Sequence, residues 1–273
     1  MSKKIRLDQL IVDRGLSESR EKAKRTIMAG LVFSEEQRMD KPGTKVNIDI
    51  PIDIKGKAIP YVGRGGLKLE KAIEYFSLDL NGKVMVDVGS STGGFTDCAL
   101  QNGVHLSYAI DVGYNQLDWK LRNDPRVVVM ERTNFRYVTP DMLTEETPNF
   151  ATVDVSFISL RLILPPLFHL LSLDSQAVIL IKPQFEAGRE QVGKKGIVRD
   201  PSVHLQVLRN ILSFAEETGF QILDVTFSPI TGGDGNIEYL GLLGKSDSEL
   251  SEEIDFSTLS EKVVTESHQA LDR

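Results

Sequence analysis

Two acids bracket a glycine-rich turn in this chain. Asp87 precedes the turn in VMVDVGSSTGGFTD, and Asp111, in YAIDVG, follows some twenty residues after it. Gly89, Gly93 and Gly94 would let a ligand approach the backbone closely and tighten a passage from strand into helix, while Ser91 and Thr92 can cap a helix starting at Gly93. Ser90, Ser91 and Thr92 separate Gly89 from the next glycine, so this is not the dinucleotide GxGxxG fingerprint. A carboxylate at the end of a second strand can accept hydrogen bonds from both hydroxyls of a ribose. The two acids suit a nucleoside carrying cationic sulfonium and ammonium groups, S-adenosylmethionine, better than a pyrophosphate cofactor. A glycine turn without the acids would mean no more than a tight turn.

Four further polar residues fall where an active site would lie. Asp154 interrupts the apolar run TVDVSF, Lys182 ends ILIKPQF, Lys68 follows Gly65-Gly66, and Glu238 opens a strand in GGDGNIEYL. Open α/β sheets bind ligands at the carboxyl edge, where Asp154 and Lys182 are expected. Buried charges are expensive unless paired, so mutual neutralisation is the competing explanation for these residues.

The elements that must position these groups are legible as apolar, β-branched runs. VMVDVG (84–89), YAIDVG (108–113), RVVVM (126–130), FATVDVSF (150–157) and AVILIKP (177–183) alternate with candidate helices, the mark of a buried parallel sheet. Runs near 222–228 and 237–243 are joined by a short connection containing Gly232, Gly233 and Gly235, which permits an antiparallel hairpin but no helical crossover. The expected fold class is α/β, a Rossmann-like doubly wound domain with a mostly parallel seven-stranded sheet, preceded by a small α+β domain. The expected organisation is a small domain at 1–58, a linker at 59–66 (IPYVGRGG), the α/β domain at 67–245 and an acidic, solvated tail at 246–273.

In the small domain, Leu7, Leu10 and Ile11 recur at helical spacing and Gly15 offers a stop; Ser17 reads as the N-cap of a second helix running to about Ala29 before Gly30. Arg20 and Lys24 share a face of that helix, flanked by Lys22 and Arg25, with Ala23 and Ile27 on an apolar stripe. Leu31 to Phe33, the turn Lys41-Pro42-Gly43, and alternating Val46, Ile48 and Ile50 imply a short twisted sheet. Net charge sharpens the contrast between the parts. Residues 1–58 hold 13 lysines and arginines against 9 acids, the remainder 19 against 30, within a total of −7. Arg6, Arg20, Lys22, Lys24 and Arg25 are therefore the expected polyanion contacts, although a basic helix face is more often merely solvated. Two short helices, the second basic, followed by Ala-Gly-Leu-Val and a Lys-Pro-Gly turn, resemble the S4-type RNA-binding domain.

No stretch approaches the roughly 18 apolar residues of a membrane span, and the N-terminus has no apolar run after its lysines, so a cytoplasmic protein without a membrane partner is expected. Cys98 is the sole cysteine and the four histidines are scattered, which gives no support for a metal site or an intrachain disulfide.

The segments RGGLKLEKA, DVGSSTGGFTD, DVGYNQL, RTNFR, DVSFISL, KPQFEAGRE, KKGIVRD and GNIEYL, in this order, resemble the TlyA family, named as haemolysins but including ribosomal RNA ribose methyltransferases. The resemblance extends to about residue 245. It implies an FtsJ-type catalytic domain whose Lys-Asp-Lys-Glu tetrad falls on Lys68, Asp154, Lys182 and Glu238. It further implies S-adenosylmethionine contacts at Asp87, Gly89, Gly94, Asp111, Asn134 and Asp154, and ribosomal RNA or a ribosomal subunit as partner. The implied reaction is in-line attack by a ribose 2′-hydroxyl on the cofactor methyl, in which alignment and proton removal are the main tasks. Lys182 would serve as base if burial or the Lys68 cation lowered its pKa against the pull of Asp154 and Glu238; if charged, it would orient the oxygen and stabilise the alkoxide. Two rival readings stand beside this. A membrane-active haemolysin has little support, because ILPPLFHLLSL (163–173) is too short to span and reads as a core helix with prolines near its start. An RNA-binding module with an inactive methyltransferase fold is opposed by the intact tetrad. Oligomeric state is not written in the sequence.

Overall fold

The structure, a computed structural model, describes residues 4–28, 30–35, 37–55, 59–232, 235–248 and 255–271. The chain divides into two units, one ending at Gly66 and one beginning at Leu67.

In the first unit, strand β1 (Lys4–Arg6) leads into helix α1 (Leu7–Asp13) and helix α2 (Arg20–Met28). Strand β2 (Val32–Ser34) pairs antiparallel with both β3 (Gln37–Arg38) and β5 (Asp53–Ile54), while β4 (Lys45–Asn47) pairs with β1. The expected single sheet is therefore two small ones, because the alternation after Val46 stops at Asn47 and Ile48 is left exposed in a turn. Leu7, Leu10, Ile11, Ala23, Ile27, Val32 and Val46 form the core. Helix α2 starts later than expected. The hydroxyl of Ser19, not Ser17, accepts from the Lys22 amide at 3.2 Å, since residues 17–19 bend before the helix begins. Gly30 ends this segment at φ +71°, and Ala29 lies outside the described residues.

Gly65 and Gly66, expected in the linker, form the first turn of helix α3 (Gly65–Tyr75). The second unit then follows the anticipated alternation: β6 (Val84–Val88), α4 (Gly94–Gln101), β7 (Leu106–Ile110), α5 (Trp119–Arg122), β8 (Val127–Met130), β9 (Phe150–Val153), α6 (Leu164–Leu170), β10 (Ser175–Ile181), α7 (Pro183–Glu186), α8 (Pro201–Thr218), β11 (Gln221–Phe227) and β12 (Tyr239–Lys245). The strands order as β11-β12-β10-β9-β6-β7-β8. Only β12 runs antiparallel to its neighbours, β10 and β11, as the short connection between 228 and 237 requires. Gly233 of that connection lies outside the described residues. Every residue of β6 and β9 is buried, which explains their unbroken apolar character under a sheet covered on both faces.

From β6 the chain proceeds outward through β7 and β8, then returns to β9 on the other side of β6. The carboxyl ends of β6 and β9 thus form the switch-point crevice where open α/β sheets receive ligands. Gly89 shows the tightness of this place: at φ +83° a side-chain Cβ would stand 2.5 Å from the Asp154 carbonyl oxygen.

The acidic C-terminal segment corrects an expectation. Residues Phe256–Leu271 form helix α9, which packs on α8 and β11 rather than extending into solvent. Ser260, Val263, Val264 and Ser267 recur at i, i+3, i+4 and i+7 and are buried, while Glu261 and Glu266 occupy the exposed face. Asp255 accepts from the Ser257 and Thr258 amides at its start. The net charge of the segment concealed this stripe.

Candidate active site

All four residues of the expected tetrad converge in the second unit. Asp154 is the first residue after β9, rather than an interruption within it, and Lys182 the first after β10. Glu238 immediately precedes β12, whose Tyr239 pairs with Ile181. The sheet register thereby brings Lys182 and Glu238 to one edge from segments more than fifty residues apart, and helix α3 supplies Lys68. Lys68 Nζ lies 2.7 Å from Glu238 Oε2 and 3.3 Å from Asp154 Oδ2, and Lys182 Nζ lies 2.5 Å from Asp154 Oδ1. Asp154 bridges the two lysines. Lys68, Lys182 and Glu238 are each buried, so the pairing that compensates desolvation is present.

The charges reinforce one another. Burial pulls the Lys68 ammonium down, but Asp154 and Glu238 outweigh it and hold the group above its ordinary value. Burial pushes Asp154 up, and Lys68 and Lys182 overcome this and hold it below the carboxylate range. The result is an ionised carboxylate that bridges the two lysines, with Lys182 also donating to the Ser156 hydroxyl at 3.1 Å.

A cavity of about 330 Å³ opens at the switch point, and Asp154 lines it as well as belonging to the charged cluster. Of the residues expected at a cofactor, Gly89, Ser91, Asp111, Asn134 and Asp154 line this cavity. The Asp111 carboxylate accepts from the Ser91 amide at 2.8 Å and from the Gly113 amide at 2.6 Å, which fixes its direction. A carboxylate has about four lone-pair sites, so this one retains capacity for further hydroxyl donors. Asn134 caps the short turn Phe135–Tyr137 by accepting from the Arg136 amide.

Asp87, Thr92, Gly93 and Gly94 do not line the cavity. Asp87 is fully buried and accepts from the amide and hydroxyl of Thr96 and the hydroxyl of Thr152, so it fastens β6 to β9 and to the start of α4. Burial pushes its carboxyl up to about 6 against those hydrogen bonds. Neither Ser91 nor Thr92 caps α4. Gly93 holds that position at φ +92° without a side-chain bond, and a Cβ there would collide with Leu121 and Leu117.

Sequence reasoning passed over Ser156 and Phe157. Phe157 is 90% exposed at φ +62°, lines the cavity, and sets its ring 5.0 Å from that of Phe185. An aromatic residue following a strand reads as core by type; only its place three residues after Asp154 could have marked it.

In the first unit, Arg6 and Arg20 both donate to the buried carboxylate of Asp8, which Arg6, overcoming burial with the help of Arg20, holds down at about 2. These two expected polyanion contacts thus also carry a structural load. Lys22 and Lys24 pair with Glu18 and Glu21 at the surface, where such pairs contribute little. Arg25 lies with Lys22 and Thr26 on the wall of a shallow surface recess.

Comparison with known proteins agrees with this architecture. Residues 61–245 match the FtsJ-like methyltransferase family and residues 5–49 match the S4 domain. The chain is 60% identical over 275 residues to the "Putative rRNA methyltransferase YqxC" of Bacillus subtilis (strain 168), covering 99% of this chain and 96% of that protein. It is 41% identical over 253 residues to the 16S/23S rRNA (cytidine-2′-O)-methyltransferase TlyA of Mycobacterium tuberculosis, covering 92% of this chain and 94% of the other. A solved structure described as "Putative hemolysin from Streptococcus thermophilus" superimposes with a TM-score of 0.79 at 50% identity, covering 100% of this chain and 98% of that one. With an S4 domain ahead of a methyltransferase domain built on a seven-stranded, mostly parallel sheet, the chain belongs to the TlyA family of FtsJ-like methyltransferases.

Proposed function

We propose that this methyltransferase uses S-adenosylmethionine to methylate the 2′-hydroxyl of a ribose in ribosomal RNA, acting in the cytoplasm. Residues 1–58 dock the RNA and residues 67–245 carry out the transfer. The observation that carries the reading is the double membership of Asp154, which lines the cofactor-sized cavity and joins both lysines of the charged cluster. The names of the relatives, rRNA (cytidine-2′-O)-methyltransferases among them, support the same atom and the same polymer. No helix of the described residues is long and apolar enough to cross a membrane.

The residues present fit the cofactor. The cavity volume falls in the range of small-ligand sites, Gly89 allows close approach to the backbone, and Asp111 offers an oriented carboxylate to ribose hydroxyls. Bound adenosylmethionine supplies an activated methyl, since its sulfonium departs as a neutral thioether. The protein's own work is alignment and handling of one proton. Lys68, held between Glu238 and Asp154, fixes the Asp154 carboxylate, and that carboxylate fixes the Lys182 side-chain nitrogen beside the cavity. Lys182 is the proposed contact to the hydroxyl. Its two chemical roles carry opposite pH signatures: a base gains activity as the amine loses its proton, whereas an orienting cation loses it.

Lys182→Ala should retain adenosylmethionine and RNA binding and lose methyl transfer. Nucleoside mass spectrometry of rRNA treated with the unaltered enzyme should find the new methyl on the sugar fragment. A methyl on the base fragment would overturn the 2′-hydroxyl assignment.

A further inference from the structure

The segment from Ala187 to Asp200 takes no part in the cluster or the cavity described above, yet it departs from that site at both ends. It begins five residues after Lys182, beyond α7. At its other end, the Asn236 side chain accepts from the Val198 amide at 3.1 Å and donates to the Gly196 carbonyl at 3.0 Å, two residues before Glu238. His204, also buried, lies 3.0 Å through Nε2 from the Val198 carbonyl, an acceptor, which makes Nε2 the donor. Val198 is itself in the core. The loop therefore has a fixed base rooted in the same strand ends that carry Lys182 and Glu238.

Its outer part is built differently. The Gly193 amide donates to the Ile197 carbonyl and the Gly196 amide to the Gly193 carbonyl, closing a tight turn whose tip is Lys194-Lys195. Lys195 adopts φ +76°, a conformation that a non-glycine residue seldom takes. Arg189, Lys194, Lys195 and Arg199 are all exposed, and among the described residues no ion pair of this unit engages any of the four. The two carboxylates within the loop, Glu190 and Asp200, offset only half of this charge, and Asp200 is directed at the start of α8, where it accepts from the Ser202 amide and hydroxyl. This stands out in a part of the chain, residues 59–273, where acids outnumber lysines and arginines by 30 to 19.

We infer that the 187–200 loop is a second RNA-docking surface, carried by the catalytic unit itself, in which Lys194, Lys195 and Arg199 hold backbone phosphates of the strand flanking the target nucleotide. The inference rests on the RNA substrate proposed above. It adds that positioning of RNA is not left to the S4 domain: the same strand ends that set Lys182 and Glu238 also set the phosphate contacts. Phosphate contacts fix register without reading sequence, and each phosphate neutralised releases counterions, so the surface has a signature in salt dependence.

The test compares the full chain with K194Q/K195Q/R199Q and with the charge-retaining K194R/K195R/R199K, using total rRNA as probe and labelled adenosylmethionine as donor. We expect the neutralised variant to raise the KM for rRNA by about tenfold or more and to flatten the salt dependence of RNA affinity, by about 2 in the slope of log affinity against log salt. Its adenosylmethionine affinity and melting temperature should match the unaltered protein, and the charge-retaining variant should restore the KM. An unchanged KM and salt slope in the neutralised variant would overturn the inference, as would loss of adenosylmethionine affinity in step with the KM effect. RNA affinity is measured beside turnover to separate the two proposals. An unaltered protein that binds rRNA without methylating it counts against the proposed activity, while the loop is still judged by affinity and slope; one that binds no rRNA overturns both.

Discussion

At the scale of single residues, Asp87 and Asp111 show how two acids with the same sequence credentials separate in space. Asp111 lies just beyond β7 with its carboxylate oriented by two amides and lines the cavity. Asp87, inside β6, turns inward and is enclosed by Thr96 and Thr152. A folded-state value of about 6 against 3.8 for the free group means that the native protein binds this proton more tightly than the unfolded chain does. Its contribution to stability is therefore complete below about pH 4 and is lost as pH rises to about 6, some 3 kcal/mol in all. Asp87→Asn keeps an acceptor for Thr96 and presents a donor to the Thr152 hydroxyl, which can rotate to accept. The unaltered protein should lose stability relative to the variant between pH 4 and 6, with adenosylmethionine affinity little changed. Denaturant titrations across that interval read the difference directly, and parallel curves would mean that Asp87 does not titrate there.

At the scale of elements, the strands were the most legible part of the chain because a buried parallel strand must be apolar on both faces. The runs around 84, 108, 126, 150 and 177 became β6 to β10, and the run after the short glycine-containing connection became the antiparallel β12. Asp154 and Lys182 were legible for the same reason, as charged residues at the carboxyl ends of such strands, whereas Lys68 on α3 and Glu238 ahead of β12 were joined to them by the resemblance to the family's tetrad. Phe157 and Ser156 were hidden, since their value lies in exposure and in a partner on another segment rather than in residue type. Helix α9 was hidden by averaging, because most of the acids of 246–273 lie ahead of it, between Asp247 and Asp255, while four small or apolar residues set its inner face. Val263→Asp, which places an unpaired carboxylate at a buried position between α9 and the body of the unit, should lower stability by about 3 kcal/mol or more. Glu261→Ala, which removes only the exposed pair with Arg209, should change it by less than about 1 kcal/mol. Equal melting temperatures for the two variants would return this segment to the solvated tail that its composition suggests.

At the scale of the whole molecule, charge is divided unevenly along the chain. Residues 1–58 carry +4 within a chain of −7, so a polyanion is attracted to one end and repelled by most of the rest. Yet the cations of that end are not equivalent. Arg20 is tied to the buried Asp8 together with Arg6, and reversing its charge would press one carboxylate against another and disturb the unit before RNA affinity could be judged. Among the described residues the ion-pair partners of Lys22 and Lys24 are the exposed Glu18 and Glu21, so these lysines can be changed without disturbing a buried carboxylate. The informative variant is therefore K22E/K24E. It should melt with the unaltered protein, bind adenosylmethionine with the same affinity, and lose about tenfold or more in rRNA affinity, with a shallower dependence on salt because fewer phosphates are neutralised. Arg20→Glu should instead lower the melting temperature. If K22E/K24E binds rRNA as the unaltered protein does and with the same salt slope, the basic face of α2 is solvated surface and takes no part in RNA binding.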